Sequence, residues 1–292
     1  MEQDLGRLQG SELTTVLLGE MRRRAAMVTP ARVLRRSAED RFSRIGEVDP
    51  AAVRRVQSVL AEHLPPGTVE LELSPVAPLG THAAVAGVDQ HRVVATVRGS
   101  ELAADPTVVL ALEAARRRSA LIAGDPKNAD LVSMASFQRV TRAQMFEGTM
   151  SYAHFQLSGL VTAGRDTGNR GFEHRAIAMH VRSIAAGITA LGCDGVEIRF
   201  SDLTGGELAG VVDALRTVEQ GTGVAIVAFP ERTRARQYYT DCAIEVHAAI
   251  GGTWFEVGDG GTVDWTARLV QSSKERAMTS GLGVERLALL LG

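Results

Sequence analysis

Alternation between apolar and polar positions divides the chain into helical and extended segments. Apolar residues recur at helical spacing over residues 50–64, and Asp49-Pro50 supplies an N-cap followed by proline at the first helical position. Residues 69–73 instead alternate apolar and acidic side chains, which is the two-residue period of a strand with one face in water. The pattern therefore predicts a helix and then a strand that ends before Pro75.

The same periodicities predict elements along the rest of the chain. Further helices are predicted at residues 12–26, 30–44, 107–120, 172–191 and 206–220. Further strands are predicted at residues 92–98, 132–140, 152–163, 192–200, 224–229, 243–248 and 253–257, the first of them paired with a short run near 83–88. Residues 281–283 are predicted to form a tight glycine turn that leads into an apolar helix. Because short turns join most of the strands, we expect an α+β fold with an antiparallel β-sheet flanked by helices.

Composition restricts the classes of function. The chain has 292 residues, of which 45% are hydrophobic, and this suffices for one principal core. A formal net charge of -2 gives no global basic surface for neutralising the phosphates of a nucleic acid. No run approaches the roughly 20 apolar residues of a membrane span, so we expect a cytoplasmic protein. The two cysteines, Cys193 and Cys242, have the spacing of neither a disulfide scaffold nor a zinc site.

Three arginines stand next to glycines, polar loops or aromatic residues. Arg286 follows the last glycines, Arg142 precedes a polar loop between two predicted strands, and Arg234 begins the run Arg-Ala-Arg-Gln-Tyr-Tyr. A guanidinium stays charged at any working pH and donates a bidentate fork to phosphate or carboxylate. Each of the three, taken alone, has a surface or ion-pairing role as its alternative. The triplet 116–118 is assigned instead to the negative end of a helix dipole.

Taken in order, these segments resemble the catalytic core of class II aminoacyl-tRNA synthetases. The resemblance is to the histidyl-tRNA synthetase branch, which includes the synthetase-like regulatory subunit of ATP phosphoribosyltransferase. Residues 50–75 resemble the first motif of the class, residues 142–159 the second and residues 281–291 the third. The run 234–239, followed by Ile244-Glu245, is similar to a signature of the histidyl branch.

The chain also departs from the family. Gln144 stands where the second motif has glutamate, and Ile244 stands where the signature has phenylalanine. Because the sequence stops soon after the third motif, we expect no anticodon-binding domain. The resemblance implies a catalytic core at residues 49–292, with a small α/β insertion at about 176–230, and a helical extension at residues 1–48.

The resemblance implies that ATP, with Mg2+, activates an amino acid or related carboxylate as an acyl-adenylate. Arg142, Arg234 and Arg286 are the implied catalytic residues, because positioned cations stabilise the phosphoryl transition state. The implied ATP-binding residues are Arg142, Gln144, Phe155, Gly283 and Arg286. The implied substrate-binding residues are Glu101, Gln156, Tyr238 and Tyr239. Of the two tyrosine rings we expect one to pack in the core and the other to line the pocket. The ligands of the metal are not predicted.

Two functions of different classes remain open. The first is a stand-alone enzyme that forms a homodimer through residues 50–75 and passes the adenylate to an acceptor other than tRNA, such as a protein. The second is a non-catalytic regulatory or scaffolding paralogue with an enzyme partner, as in ATP phosphoribosyltransferase. Gln144 and the short chain favour the second function, whereas the three retained arginines favour the first.

Overall fold

An eight-stranded mixed sheet is the centre of the fold. The computed structural model describes residues 5–144, 153–212, 215, 224–230 and 238–292. The strands are β1 Val69–Glu70, β2 Val76–Pro78, β3 Ser100–Leu102, β4 Val132–Thr141, β5 His154–Arg165, β6 Gly195–Asp202, β7 Val224–Ala228, β8 Cys242–Ile250, β9 Thr253–Val263 and β10 Glu275–Gly283. The order in the large sheet is β1-β4-β5-β10-β9-β8-β6-β7, while β2 and β3 form a separate antiparallel pair.

Antiparallel pairing dominates the large sheet. All of the inner pairings, from β4 through β5, β10, β9 and β8 to β6, are antiparallel. The edge strands β1 and β7 pair in parallel with their neighbours. The predicted α+β fold with an antiparallel sheet flanked by helices is therefore confirmed, with parallel strands added at its two edges.

Helices lie on both faces of the sheet. The helices with defined bounds in the described part of the chain are α1 Gly10–Ala25, α2 Pro30–Glu39, α3 Pro50–Glu62, α4 Thr81–Ala86, α5 Pro106–Gly124, α6 Gly171–Ala190, α7 Trp265–Leu269 and α8 Val284–Leu291, with 3-10 turns at Leu5–Arg7 and Gln90–Arg92. The largest core cluster joins α3, α6 and α8 to one face of the sheet, through side chains such as Val56, Ile177 and Leu287. Helix α5 covers part of the opposite face and contacts β4 and β5. None of the helices in the described part of the chain is long and apolar enough to cross a membrane.

Two helices begin with the same aspartate-proline cap. Asp49 Oδ1 accepts a hydrogen bond from the Ala51 amide (2.9 Å) at the start of α3. Asp105 Oδ1 accepts one from the Thr107 amide (2.9 Å) at the start of α5. The start of α3 predicted from Asp49-Pro50 is thus confirmed, and the second cap places Asp105 at the site described below.

The prediction for residues 83–98 is wrong. Residues 83–88 lie mainly in helix α4 rather than in a strand, and a glycine in the left-handed region stands at each end of this helix: Gly80 has φ 84° and Gly87 has φ 66°. Arg92 belongs to a 3-10 turn, and residues 94–102 form a tight hairpin with one bridge, between Ala95 and Glu101. The left-handed conformation of Gly80 and Gly87 has no steric cost for glycine, so these two residues allow α4 to begin and end within six residues.

The last stretch also differs from its prediction. Gly281 and Gly283 are residues of strand β10 rather than of a turn, and Gly283 has an ordinary φ of -74°. A Cβ on Gly281 would lie 3.1 Å from the Ser158 carbonyl oxygen, so this glycine permits close approach of β5. The apolar helix that follows, α8, is confirmed.

The arginine triplet 116–118 does not sit at a helix end, because α5 continues to Gly124. Arg118 is 0% exposed and donates two hydrogen bonds to the Glu275 carboxylate of β10, at 2.7 and 3.1 Å. Arg116 and its neighbour instead pair with Glu113 on the same helix. The helix-dipole interpretation of the triplet is therefore wrong: Arg118 holds α5 against the sheet.

The first two helices bury no residue. Helix α2 ends at Glu39 rather than near residue 44, and its Leu34 side chain is 74% exposed. The link to the sheet follows α2, where the Arg41 guanidinium donates to the carbonyl oxygens of Ala143 and Gln144. The division of the chain at residue 49 stays a prediction.

The predicted insertion contributes to the same sheet, since β6 pairs with β8. Its predicted helix at 206–220 lies partly outside the described residues, and residues 209–212 are helical. Whether 176–230 is an insertion stays a prediction.

Candidate functional site

A cleft of about 640 Å³ opens between the N-terminus of α5 and the end of β10. Six of the predicted site residues line it: Arg142, Gln144, Tyr238, Tyr239, Gly283 and Arg286. They come from three separate parts of the chain, and the sheet brings these parts together because β10 lies between β5 and β9.

Arg142 is held from three sides at the end of β4. Its Nε donates to the Ala104 carbonyl oxygen (2.9 Å), and its Nη2 lies 3.4 Å from Asp105 Oδ2. The guanidinium carbon lies 5.3 Å from the centre of the Phe155 ring, within the range of a cation–π contact. Among the described residues no hydrogen bond engages Nη1 of Arg142, so this nitrogen keeps its donors for a ligand.

Asp105 is a site residue that the sequence analysis missed. Its Oδ1 accepts from both the amide and the hydroxyl of Thr107, at 2.9 and 2.7 Å, which caps α5. Its Oδ2 faces Arg142 and the cleft. Aspartate before proline was visible as a helix start, but the sequence does not tell which such cap faces a ligand.

The two tyrosines form an aromatic cluster with Trp265. The Tyr238 and Tyr239 ring centres are 5.0 Å apart, and Tyr238 lies 5.3 Å from Trp265, both in edge-on geometry. Tyr239 is 6% exposed and packs in a hydrophobic cluster with α5 residues. Burial, together with the negative charges of Asp105 and Asp259, raises the pKa of the Tyr238 phenol well above its usual range. Tyr238 therefore stays a neutral hydroxyl at any working pH.

Arg286 lies in the first turn of α8, exposed to the cleft. Within residues 5–144, 153–212, 224–230 and 238–292 its guanidinium forms no hydrogen bond or ion pair. The preceding Glu285 is fully buried and turns away, accepting from Arg139 Nη2 (2.6 Å) and the Gln156 amide (3.1 Å). A cation at the positive end of a helix dipole is unfavourable by itself. The charge of Arg286 is thus available to an anion.

Gly283 makes room for this arginine. A Cβ at residue 283 would lie 3.1 Å from the Arg286 Cβ, which is tighter than an ordinary contact. Arg92, which sequence analysis did not select, is a further exposed guanidinium on the lining. No sequence signal distinguished it from other surface arginines.

Other predicted residues lie elsewhere. Gln156 lines a separate cleft of about 520 Å³ together with Arg139 and His154. Glu101 is 0% exposed and lies behind His82 rather than on the lining. Arg234 lies outside the described residues, as does most of the predicted loop that follows Gln144.

Glu101 is saturated by protein donors. Its carboxylate accepts from the amides of Gly80 (2.8 Å) and His82 (2.9 Å), from His82 Nδ1 (2.7 Å) and from Gln90 Nε2 (2.9 Å). Burial alone would raise the pKa of the Glu101 carboxyl, but the hydrogen bonds from His82, Gln90 and Gly80 outweigh it and lower the pKa to about 2. Four donors occupy the four lone-pair positions of a carboxylate.

The acidic groups of the lining are Asp105, Glu256 and Asp259. In the described part of the chain no three His, Cys, Asp or Glu side chains are grouped as metal ligands. Mg2+ in nucleotide sites commonly takes one or two carboxylates and completes its shell with phosphate oxygens and water. The carboxylates of the lining are of a type that fits this mode.

Comparison with solved structures identifies the architecture as that of the class II synthetase-like catalytic core. The chain is similar to an ATP phosphoribosyltransferase regulatory subunit/histidyl-tRNA synthetase from Bacillus halodurans, with a TM-score of 0.61 and 12% identity over 85% of this chain and 82% of that one. It is also similar to the histidyl-tRNA synthetase of S. aureus, with a TM-score of 0.59 and 13% identity over 84% of this chain and 68% of that one. The corresponding values for the histidyl-tRNA synthetase of Nostoc are 0.56, 14%, 82% and 69%. The resemblance found in the sequence is confirmed as a likeness of fold.

No protein-family model matches the chain, and no curated protein matches it either.

Proposed function

We propose that this protein binds ATP in the cleft and activates an amino acid or related carboxylate as an acyl-adenylate. The observation that carries the proposal is that two of the three predicted catalytic arginines lie on one cleft: Arg142, fixed by the protein, and Arg286, unpaired in the described part of the chain. A triphosphate and a carboxylate are both anions, and guanidinium groups on one lining suit their approach to each other.

In this proposal each arginine has its own role. Arg142 bridges the substrate carboxylate and the α-phosphate, and Phe155 supports its guanidinium. Arg286 holds the γ-phosphate end of ATP or lies against the adenine. Arg234, which lies outside the described residues, steadies the α-phosphate. The carboxylate oxygen bonds to the α-phosphorus while the bond to pyrophosphate breaks, so the reaction requires stabilisation of charge and no general base.

The remaining polar groups of the cleft suit an amino acid. Asp105 Oδ2 lies beside Arg142, so it can accept from an ammonium group whose carboxylate is bound by that arginine. Glu256 and Asp259 are the carboxylates we propose for Mg2+, which neutralises phosphate charge when bound. The neutral phenol of Tyr238 is a hydrogen-bond partner for the substrate.

We propose a homodimer through residues 50–75. Strand β1 is an edge of the sheet and its Val69 is 42% exposed, so a second copy can pair along its outer side. Sedimentation of the parent and of Val69→Asp tests this contact: the variant should shift to the monomer, and an unchanged mass would contradict it.

A second candidate is a regulatory paralogue with an enzyme partner. Gln144 favours it, because this residue replaces the glutamate of the second motif and lines the cleft. Arg142 also forms an ion pair with Asp105 without any ligand, so its charge has a partner whether or not ATP binds.

Pyrophosphate exchange separates the two candidates. Labelled pyrophosphate, Mg2+, ATP and a panel of amino acids and other carboxylates are mixed with the parent protein and with Arg142→Ala. Exchange that one substrate stimulates in the parent and that the variant loses supports the enzyme. Binding of ATP without exchange for any substrate supports the regulatory candidate. A folded parent that neither exchanges pyrophosphate nor binds ATP by calorimetry refutes the ATP proposal.

A further inference from the structure

His82 is fully buried between Glu101 and the main chain that leads into α5. Its Nδ1 lies 2.7 Å from Glu101 Oε1. On the other side of the ring, the Ala104 amide donates to Nε2 at 3.0 Å. An imidazole nitrogen that accepts a hydrogen bond carries no proton, so Nδ1 holds the ring proton and donates it to Glu101. The two contacts therefore define one neutral tautomer.

The main chain of Ala104 connects this ring to the cleft. Its amide is bound by His82, and its carbonyl oxygen accepts from Arg142 Nε at 2.9 Å. Asp105, the ion-pair partner of Arg142, is the next residue. A movement of the main chain at Ala104 would therefore move the Ala104 carbonyl oxygen and the Asp105 carboxylate, the two groups that orient the Arg142 guanidinium.

Glu101 in turn fixes the histidine. Its four donors come from the helix α4 region and the turn after it, so the carboxylate holds the His82 ring and the surrounding backbone together. Glu101 was predicted to bind the substrate, but a carboxylate with no exposed surface and four bound donors suits a supporting role better.

We propose that His82, oriented by Glu101, is a positioning residue for Arg142 and acts through the main chain of Ala104. The chain of contacts runs from a buried carboxylate through a neutral imidazole and a backbone peptide to the guanidinium that faces the cleft. The consequence for ATP rests on the function proposed above, whereas the positioning of Arg142 does not.

Two neutral variants separate the contact with the Ala104 amide from the contact with Glu101. In His82→Gln the side-chain oxygen reaches the place of Nε2 and can accept from the Ala104 amide. In His82→Asn the shorter amide reaches only the place of Nδ1, so it can donate to Glu101 but leaves the Ala104 amide without its acceptor. A residue needed only to satisfy Glu101 would tolerate the asparagine at least as well as the glutamine.

The first measurement is the hydrogen exchange of the Arg142 Nε–H group by NMR, with the resonance assigned by its loss in Arg142→Lys. The second is the ATP affinity by calorimetry. We expect slow exchange in the parent and in His82→Gln, and exchange on the order of tenfold faster in His82→Asn, with ATP affinity about tenfold weaker. Thermal unfolding checks that both variants are folded.

Equal exchange in the parent and in a folded His82→Asn overturns the proposal. If the asparagine variant does not fold, the nitrogen shifts of His82 in the parent decide: an unprotonated Nε2 at neutral pH supports the proposal, and a protonated Nε2 overturns it. A parent that binds no ATP refutes the proposed function, while the exchange of the Arg142 Nε–H group still decides the positioning role.

Discussion

Replacing Arg286 by alanine tests the proposed nucleotide site most directly. The side chain is exposed on the cleft and, among the described residues, has no partner to lose. A guanidinium that donates two hydrogen bonds to phosphate contributes about 1.5 kcal/mol or more for each bond. Loss of about 3 kcal/mol in binding corresponds to a dissociation constant for ATP raised about 100-fold.

The same substitution should not weaken the fold. Arg286 places a positive charge in the first turn of α8, where the helix dipole is also positive, so its removal should raise the free energy of unfolding by about 0.5 kcal/mol. Alanine is also the better helix former. Denaturant unfolding of the parent and the variant measures this difference.

Calorimetry with ATP and Mg2+ measures the binding, and Arg175→Ala serves as the matched control. Arg175 is an exposed arginine in α6 that lies outside the cleft lining and has no partner among the residues the structure describes. The control should bind ATP like the parent. Equal affinity in Arg286→Ala and the control would refute the phosphate role, and an unfolded Arg286→Ala would make the arginine structural.

Three further predictions concern the scaffold. Arg118→Ala leaves the buried Glu275 of β10 without its cation, so the free energy of unfolding in denaturant should fall by about 3–5 kcal/mol. The exposed Arg116→Ala is the control and should lose under about 1 kcal/mol. Equal losses in the two variants would contradict the role of the buried pair. Burial lowers the pKa of His180 from 6.5 to about 3, so the unfolded state alone takes up a proton as the pH falls below 6.5. The unfolding free energy should therefore decrease by about 4 kcal/mol between pH 6.5 and 3, and a His180→Gln variant with the same pH dependence would refute this cause. A Cβ on Gly261 would lie 2.4 Å from a carbonyl oxygen, so Gly261→Ala should lower the free energy of unfolding by about 1–3 kcal/mol. Gly19→Ala, which has open space on α1, is the control and should be neutral or stabilising by up to about 1 kcal/mol. Comparable melting temperatures of the two variants would show that β9 can relax around the added methyl group.

The fold was predictable where local chemistry and burial agree. Asp49-Pro50 and the apolar spacing after it marked α3 because capping and periodicity point to the same element. Strand β10 was not predicted because consecutive residues such as Ala277 and Met278 are buried on opposite faces of the sheet, so no polar alternation marks it. Its glycines suggested a turn, whereas in the sheet they permit neighbouring strands to approach.

The site was predictable only in part, because it is assembled from distant segments. Arg142 and Arg286 were predicted from the order of the motifs, because the motifs of the resembled family contain arginines at these positions. Arg92 and Asp105 became visible only when the fold placed them on the same lining. Glu101 had the chemistry of a ligand-binding carboxylate, but its burial behind His82 depends on tertiary contacts that no local pattern reports.

The central position of β10 has a consequence for synthesis of the chain. Proteins are made from the N-terminus at roughly 5–20 residues per second, and β10 is the last strand in chain order although it lies between β5 and β9. Until residues 275–283 have been made, the nascent protein can hold only two half-sheets, each with an open edge. The ribosome therefore delivers the strand that closes both edges only after all the others, and chains interrupted before Glu275 should be substrates for chaperones or proteases.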